Sequence, residues 1–148
     1  MAGSIMQVAK QLGQLSGWSL SNLAIQKIGY IAEMLHLGRH GTPLIDENWQ
    51  AWSYGPVQPG LYHRAKVFGA DAVKDIFVEP PFMPGTDQEK AVIDAYSMMK
   101  DLTPGRMINV THQNNGAWAK SYAPGAKGRT IPKSAIQAEY STLIQNDN

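Results

Sequence analysis

The four histidines are the first residues to consider for chemistry, because imidazole binds metals and transfers protons near neutral pH. His36 and His40 are four residues apart, a spacing that places two metal ligands on one face of a helix, but Gly38 lies between them. His63 and His112 stand alone, and the sequence contains no hydrolase, metalloprotease or phosphate-binding motif. We therefore predict structural or capping histidines, with no catalytic residue, no metal site and no cofactor.

Residues 49–62 concentrate the aromatic side chains, with two tryptophans and two tyrosines among two glycines and two prolines. Gly55 can adopt backbone angles that other residues avoid, and Pro56 fixes its own φ, so residues 54–57 are predicted to form a rigid bend. Such a bend either packs its aromatic side chains into the core or presents them to a partner. The residue types alone leave both interpretations open.

Charge is nearly balanced over the whole chain, at a formal +1, so no global field favours nucleic acid or a membrane. Residues 102–138 are the exception, because they contain basic side chains and neither aspartate nor glutamate. We interpret this segment as a solvated polar face, and a surface for an acidic partner or a phosphate backbone is the alternative. The basic residues of this segment are Arg106, Lys120, Lys127, Arg129 and Lys133.

The composition excludes several classes of protein. The chain has no cysteine, which excludes disulfides, thiolate metal sites and cysteine nucleophiles. Its first residues lack the pattern of a secretory signal, and no apolar run is long enough to span a bilayer. We expect a soluble cytoplasmic protein that forms one domain over residues 1–148, the size of an ordinary single domain.

Two helices are predicted before the aromatic stretch. Apolar residues recur with helical spacing over residues 5–15, where Gly17 ends the helix, and over residues 20–35, the predicted central core helix. Ser19 or Ser21 is expected to cap the second helix, and residues 38–43 are expected to break it. Lys27 lies on the apolar side of this helix, where its stem is expected to cover the edge of the core and its ammonium to reach water.

The rest of the chain predicts shorter elements. Trp49 and Trp52 share a face on a helix and lie on opposite faces of a strand, and the sequence does not decide between the two. Further helices are predicted over residues 61–68, after the T-x-x-E capping box at Thr86, after Thr103 and after Pro132, with a short extended piece at residues 76–78. Together these patterns predict a mainly α fold, a single compact domain of about six helices with at most a small β-hairpin or extended segment.

An ordered set of motifs resembles a known family. Residues 23–30 read Leu-Ala-Ile-Gln-Lys-Ile-Gly-Tyr, residues 51–57 read Ala-Trp-Ser-Tyr-Gly-Pro-Val, and Thr-His at residues 111–112 precedes Trp118. In this order they resemble the Panacea antitoxin domain, also called the SocA-like or phage-associated GepA-like family. The family motif falls on ten residues that we take as candidate partner-binding residues and expect to meet in space: Lys27, Tyr30, Trp52, Tyr54, Gly55, Pro56, Val57, Tyr62, His112 and Trp118.

The resemblance implies a mostly helical domain without enzymatic activity, which binds and neutralises a cognate toxin encoded beside it. One branch of the family implies a proteolytic adaptor that delivers the toxin to an AAA+ protease. The alternative from another class is a small-molecule or nucleotide-binding domain, or an enzyme, using Lys27, His112 and the aromatic pocket. An interface predicts exposed aromatic surface beside the bend, whereas the alternative predicts a closed pocket lined by Lys27 and His112.

Overall fold

Helices dominate the computed structural model, which describes residues 2–126 and 128–146, so the prediction of a mainly α fold is confirmed. In chain order the elements are α1 (Ile5–Ser16), α2 (Asn22–His40), β1 (Trp49–Trp52), β2 (Gly55–Val57), α3 (Pro59–Ala65), a 3₁₀ turn (Lys66–Phe68), α4 (Asp87–Met99), α5 (Pro104–Thr111), α6 (Ala117–Ser121), β3 (Arg129–Ile131) and α7 (Lys133–Asn146). The predicted extended piece at residues 76–78 forms no strand.

Helix α2 is the centre of the fold. Every residue from 24 to 37 is buried, since α1, α4, α5 and α7 pack around the helix and β2 and α3 pack near its first turns. A helix that is covered on all sides needs apolar or internally paired side chains on every face. The polar residues within α2 therefore need hydrogen-bond or charged partners inside the protein.

The ends of α2 follow from its capping residues. The Ser21 hydroxyl accepts a hydrogen bond from the Ala24 backbone N–H at the start, as predicted. The break predicted over residues 38–43 is confirmed, because the helix continues past Gly38 to His40 and ends at Gly41, which has a φ of +71°. Gly38 serves packing: a Cβ there would lie 2.0 Å from the Tyr140 ring of α7.

The three strands form one antiparallel sheet in the order β2–β1–β3. Trp49 and Trp52 therefore lie on a strand, with Trp49 buried in the core and Trp52 half-buried on the opposite face. In this register Ala51 pairs with Pro56 on one side and with Arg129 on the other. The sheet is small, as predicted, and it holds residues 49–57 as a hairpin.

A buried ion pair connects distant parts of the fold. The Glu33 carboxylate is completely buried in α2, where it accepts a hydrogen bond from the Leu44 N–H at 2.5 Å and contacts the Lys133 ammonium. Lys133 also donates to the carbonyl oxygens of Ile45 at 3.1 Å and Glu47 at 2.8 Å. These contacts tie α2, α7 and the segment before β1 together.

Helix caps predicted from the sequence are present in the shorter helices. Thr86 accepts a hydrogen bond from the Glu89 N–H at the start of α4, and Thr103 accepts one from the Arg106 N–H at the start of α5. The Glu89 carboxylate accepts a hydrogen bond from the Gly85 N–H. In a capping box it would accept from the N–H of the N-cap residue, Thr86. None of the helices in the described residues is both long and apolar enough to cross a bilayer.

Candidate functional site

The turn of the β1–β2 hairpin is the most exposed part of the predicted motif. The Tyr54 side chain has 70% of its surface exposed, next to the half-buried Trp52. Behind this turn Gly55 has a φ of +114°, a conformation that L side chains rarely adopt. Pro56 follows in β2, where its fixed φ rigidifies the strand. The predicted rigid bend is therefore a hairpin that presents Tyr54 to solvent.

Lys27 lies directly beneath the hairpin. Its side chain is only 2% exposed, and its ammonium donates a hydrogen bond to the Pro56 carbonyl oxygen at 2.9 Å. The expectation that this ammonium reaches water is wrong, because β2 packs over it: a Cβ on Gly55 would lie 3.1 Å from the Lys27 Cε. Burial removes water from the charged form and lowers the pKa of Lys27 from 10.5 to about 8.

His112 and Trp118 support the hairpin from α5 and α6. Their rings stack with centroids 3.5 Å apart, and the Trp118 indole N–H donates to the Trp52 carbonyl oxygen at 2.7 Å. The His112 Nε2 is buried and has no hydrogen-bond partner among the described residues. Burial, together with the nearby positive charge of Lys27, lowers the pKa of His112. His112 is therefore a neutral, stacked ring, and it terminates α5 as the sequence predicted.

A groove of about 360 Å³ runs along one side of the hairpin, and we call it the motif groove. Its floor is the start of α2, and its walls come from the hairpin, α3 and residues 69–70. Tyr62 meets Trp52 edge to face within it, at a centroid distance of 4.8 Å. Five of the ten motif residues line this groove: Lys27, Trp52, Tyr54, Val57 and Tyr62.

A second groove of about 530 Å³, which we call the loop groove, lies on another side of the hairpin turn. It is lined by residues 50–53 of the hairpin, by Tyr122 and by Gly125, Ala126 and Gly128 of the following loop. Lys127, which the sequence placed in the basic segment, lies outside the described residues. Since Trp52 and Ser53 line both grooves, the hairpin turn forms a ridge between them.

The remaining motif residues lie behind this surface or away from it. Gly55 and Pro56 are buried in β2, and His112 and Trp118 form the stack described above. Tyr30 is fully buried in α2, where its ring meets Trp49 edge to face at 5.4 Å. Tyr30 therefore belongs to the core and is separated from the grooves.

Glu139 of α7 links this part of the core to α6. Its carboxylate accepts a hydrogen bond from the Ala117 N–H at 2.9 Å, which caps the first turn of α6. Burial raises the pKa of Glu139. The Tyr30 hydroxyl faces this carboxylate without the geometry of a full hydrogen bond, and burial together with the negative charge raises the pKa of Tyr30. The pair positions the helix that carries Trp118.

Sequence analysis missed Gln26, which fixes the start of α3 against α2. Its side-chain amide accepts a hydrogen bond from the Gln58 N–H at 2.8 Å and donates to the Gln58 carbonyl oxygen at 3.1 Å. Gln58 in turn caps α3 by accepting from the Leu61 N–H. The available signal was a glutamine within the predicted central core helix, because a buried amide requires such partners.

The histidines are also potential metal ligands. In the described residues no group of three or more histidine, cysteine, aspartate or glutamate side chains is placed to hold a metal ion. His36 and His40 do lie together, with ring centroids 5.0 Å apart. The His36 Nδ1 lies 2.6 Å from the Thr42 carbonyl oxygen, so this nitrogen carries the proton and donates it. The ring helps to fix the end of α2.

Comparison with known families decides which group of proteins the chain is part of. The sequence model described as "Antitoxin SocA-like, Panacea domain" matches residues 25–119, which is more than half of the chain and includes all ten motif residues. The chain belongs to this family. The Panacea domain is thus confirmed on the motifs that suggested it.

One curated relative of this Panacea domain is Antitoxin SocA of Caulobacter vibrioides (strain NA1000 / CB15N). The two sequences are 29% identical over 111 residues, which cover 67% of this chain and 58% of the relative. The chain therefore matches somewhat more than half of that protein's length. No solved structure matches the chain.

Proposed function

We propose that this Panacea domain is an antitoxin that neutralises a protein toxin by binding it directly through the hairpin ridge. The observation that carries the proposal is the exposed Tyr54 beside Trp52 on a hairpin that is held rigidly from behind. Tyrosine and tryptophan are enriched at the energetic centres of interfaces, and a rigid platform loses little conformational entropy on binding. The toxin is proposed to be encoded by the adjacent gene.

The whole chain is proposed to form this one domain. Strand β3 and helix α7 follow the matched residues 25–119, yet β3 completes the sheet beside β1 and α7 packs on α2. Helix α1 precedes the matched residues and packs on α2 and α4. These contacts support one folding unit over residues 1–148, and we propose that it acts in the cytoplasm.

The alternative small-molecule or enzyme function has weaker support. It requires a closed pocket with Lys27 and His112 facing a common ligand, whereas the described lining of the motif groove includes Lys27 and not His112. His112 is also engaged in stacking with Trp118 and has a lowered pKa. We infer that the domain acts by binding and without catalysis.

The first experiment is co-expression with the product of the adjacent gene, with growth rescue and co-purification as readouts. Tyr54→Ala is expected to weaken the complex by about 30-fold or more, the effect of removing a hot-spot side chain. Met83→Ala is the matched control, because Met83 is similarly exposed, at 75% against 70% for Tyr54, and lies outside both grooves. Equal affinity of the two variants would contradict a toxin interface at the ridge.

A proteolytic adaptor is the variant of this proposal that the same system tests. The half-life of the toxin is measured in cells with and without each AAA+ protease. Neutralisation that persists in the absence of all of them supports direct inhibition. Neutralisation that is lost together with one protease supports delivery of the toxin to that protease, with the hairpin ridge as the holding surface.

A further inference from the structure

Three aromatic rings form a continuous stack behind the hairpin, and this stack ends at the loop groove. The His112 and Trp118 rings stack with centroids 3.5 Å apart, and the Trp118 and Tyr122 rings stack at 4.8 Å with 16° between their planes. Tyr122 is half-buried and belongs to the described lining of the groove, whereas His112 and Trp118 do not. Among the described residues no ring other than Trp118 contacts Tyr122. The last ring of the stack therefore lies at the groove wall with an aromatic neighbour on one face only.

Both aromatic residues of the loop groove, Tyr122 and Trp52, are held in place. The Trp118 ring that stacks on Tyr122 donates its indole N–H to the Trp52 carbonyl oxygen at 2.7 Å. The Trp52 indole N–H in turn donates to the Gln50 side-chain oxygen at 3.0 Å. Rings that are already ordered lose little conformational entropy when a ligand binds. This part of the groove is therefore a preformed aromatic surface.

The remaining wall of the loop groove is made largely of backbone. It comes from Gly125, Ala126 and Gly128, which carry at most a methyl group as side chain. Gly128 packs closely on the sheet, since a Cβ there would lie 2.4 Å from the Gln50 side-chain oxygen. Peptide groups are planar, and without side chains above them they allow a flat ring to approach closely. The shape of this wall therefore suits a planar ligand.

The described lining of the loop groove contains no charged side chain, and Gln50 and Ser53 are its polar members besides the aromatic ones. A carboxylate or phosphate that entered would lose water without gaining an opposite charge from this lining. The volume of about 530 Å³ lies within the range of pockets that enclose small molecules, so it is sufficient for one large ring. Charge and size together favour an uncharged, planar ligand.

We propose that the loop groove binds an aromatic side chain of the toxin, which packs against Tyr122 and extends the stack by a fourth ring. This inference rests on the proposed function, since it names the chemistry of the partner. Trp52 and Ser53 line both grooves, so a protein bound at the exposed Tyr54 lies next to the loop groove. Aromatic side chains are enriched at interface hot spots and tend to meet hot spots of the partner. A nucleobase is also planar, but its phosphates would find no cation in the described lining.

Three variants test the role of the Tyr122 ring in the complex with the toxin, with affinity measured by calorimetry and folding by circular dichroism. Tyr122→Leu removes the ring and is expected to lower the affinity about tenfold, whereas Tyr122→Phe keeps the ring and is expected to bind like the wild type. Tyr96→Leu is the matched control, because Tyr96 is a half-buried tyrosine of α4 outside both grooves. Wild-type affinity of Tyr122→Leu, with Tyr54→Ala weakened, would overturn the inference and leave the proposed function standing.

Small probes test the loop groove without the toxin. N-acetyl-phenylalanine amide and its cyclohexylalanine analogue are titrated into ¹⁵N-labelled protein while the signals of Gly125, Gly128 and the Trp52 indole are followed. The cyclohexyl ring is larger and at least as apolar, so a groove that selects apolar area alone would prefer it. We expect the phenylalanine probe to bind about threefold or more tightly.

The probe experiment also separates the two proposals. A preference for the phenylalanine probe, without any binding of the adjacent gene product, would support an aromatic site and contradict that toxin as its partner. The inference itself would be overturned by the absence of shifts at the groove, by equal binding of the two probes or by tighter binding of AMP.

Discussion

Helix α2 carries two buried charges, Glu33 and Lys27, six residues apart in the sequence, and their surroundings are opposite. Glu33 is 0% exposed and is satisfied by the Leu44 N–H and the Lys133 ammonium. Lys27 is 2% exposed and has the Pro56 carbonyl oxygen alone as its partner in the described structure. The same helix therefore contains one compensated and one uncompensated charge.

The two charges therefore affect the stability of the fold in different ways. A paired buried charge fixes the arrangement of the elements that it joins, because removing one partner leaves the other charge buried without compensation. A buried charge without an opposite charge keeps the cost of its desolvation, which is why the pKa of Lys27 is lowered. The compensated charge lies where α2, α7 and the segment before β1 meet, and the uncompensated one lies under the hairpin.

The largest expected effect comes from breaking the compensated pair. Glu33→Gln removes the negative charge and leaves Lys133 without a carboxylate, so the free energy of unfolding is expected to fall by about 3 kcal/mol or more. Urea denaturation followed by circular dichroism measures it. A loss below about 1 kcal/mol, as is usual for exposed pairs, would show that this ion pair does not stabilise the fold.

Removing the uncompensated charge of Lys27 is expected to change the free energy of unfolding in the opposite direction, and this change is expected to depend on pH. Since burial lowers the pKa of Lys27 from 10.5 to about 8, the unfolded chain binds more protons than the folded protein between these values. The stability of the wild type relative to Lys27→Met should therefore rise with pH over this window, by about 3 kcal/mol in total.

Below pH 8 the burial penalty of the ammonium is constant, so Lys27→Met is expected to be the more stable protein there. Denaturant titrations of both proteins at pH 7, 9 and 10.5 measure the difference, in which the other titrating groups cancel. A difference that does not change with pH would show that the Lys27 ammonium is as well stabilised as the Glu33 carboxylate.

The close approach of the hairpin to Lys27 gives a smaller effect. Gly55→Ala would force an L side chain into a φ of +114° and place a Cβ 3.1 Å from the Lys27 Cε and the Thr111 Oγ1, so a loss of about 1–3 kcal/mol is expected. Gly105→Ala is the matched control in α5, because a Cβ there meets no atom within 4 Å. This control is expected to be neutral or to stabilise by up to about 1 kcal/mol. Thermal unfolding of the two variants in parallel measures the contrast.

The smallest effect is expected at a partly exposed ion pair. Arg39 contacts Asp94 at 2.8 Å, with about a third of each side chain exposed. Arg39→Met is expected to change the free energy of unfolding by less than about 1 kcal/mol, because water competes for both charges. If Arg39→Met lowered the free energy of unfolding as much as Glu33→Gln does in the same urea titration, burial would not explain the difference between the two ion pairs.

Much of the secondary structure was predictable because its signals are local. Helical spacing over residues 5–15 and 20–35, and the caps at Ser21, Thr86 and Thr103, depend on residues within one or two turns of each other. The end of α2 lies within the predicted break over residues 38–43, although the helix continues through Gly38. Its role in accommodating the Tyr140 ring depends on a residue about a hundred positions later in the chain.

The site was predictable in its residue types and less so in its arrangement. The motif identified Trp52, Tyr54 and Tyr62, which line the motif groove, but it also included Tyr30, which is buried beside Trp49. The ten candidate residues did not include Gln26, although it lies within the quoted motif, and its two hydrogen bonds position Gln58 and the start of α3. Motif membership gives the order of residues along the chain, whereas exposure depends on what packs over them.

By itself, the sequence determined the helical class of the fold, the rigid bend at Gly55 and Pro56 and membership of the Panacea family. Helical spacing, caps and motifs can each be recognised in short stretches of the sequence. The tertiary structure alone decided which of the two buried charges on α2 is paired with an opposite charge. Lys133, which pairs with Glu33, is 100 residues away in the chain, and Pro56, whose carbonyl oxygen accepts the hydrogen bond from Lys27, is 29 residues away. Burial and pairing are set by such non-local contacts, which a local pattern does not contain.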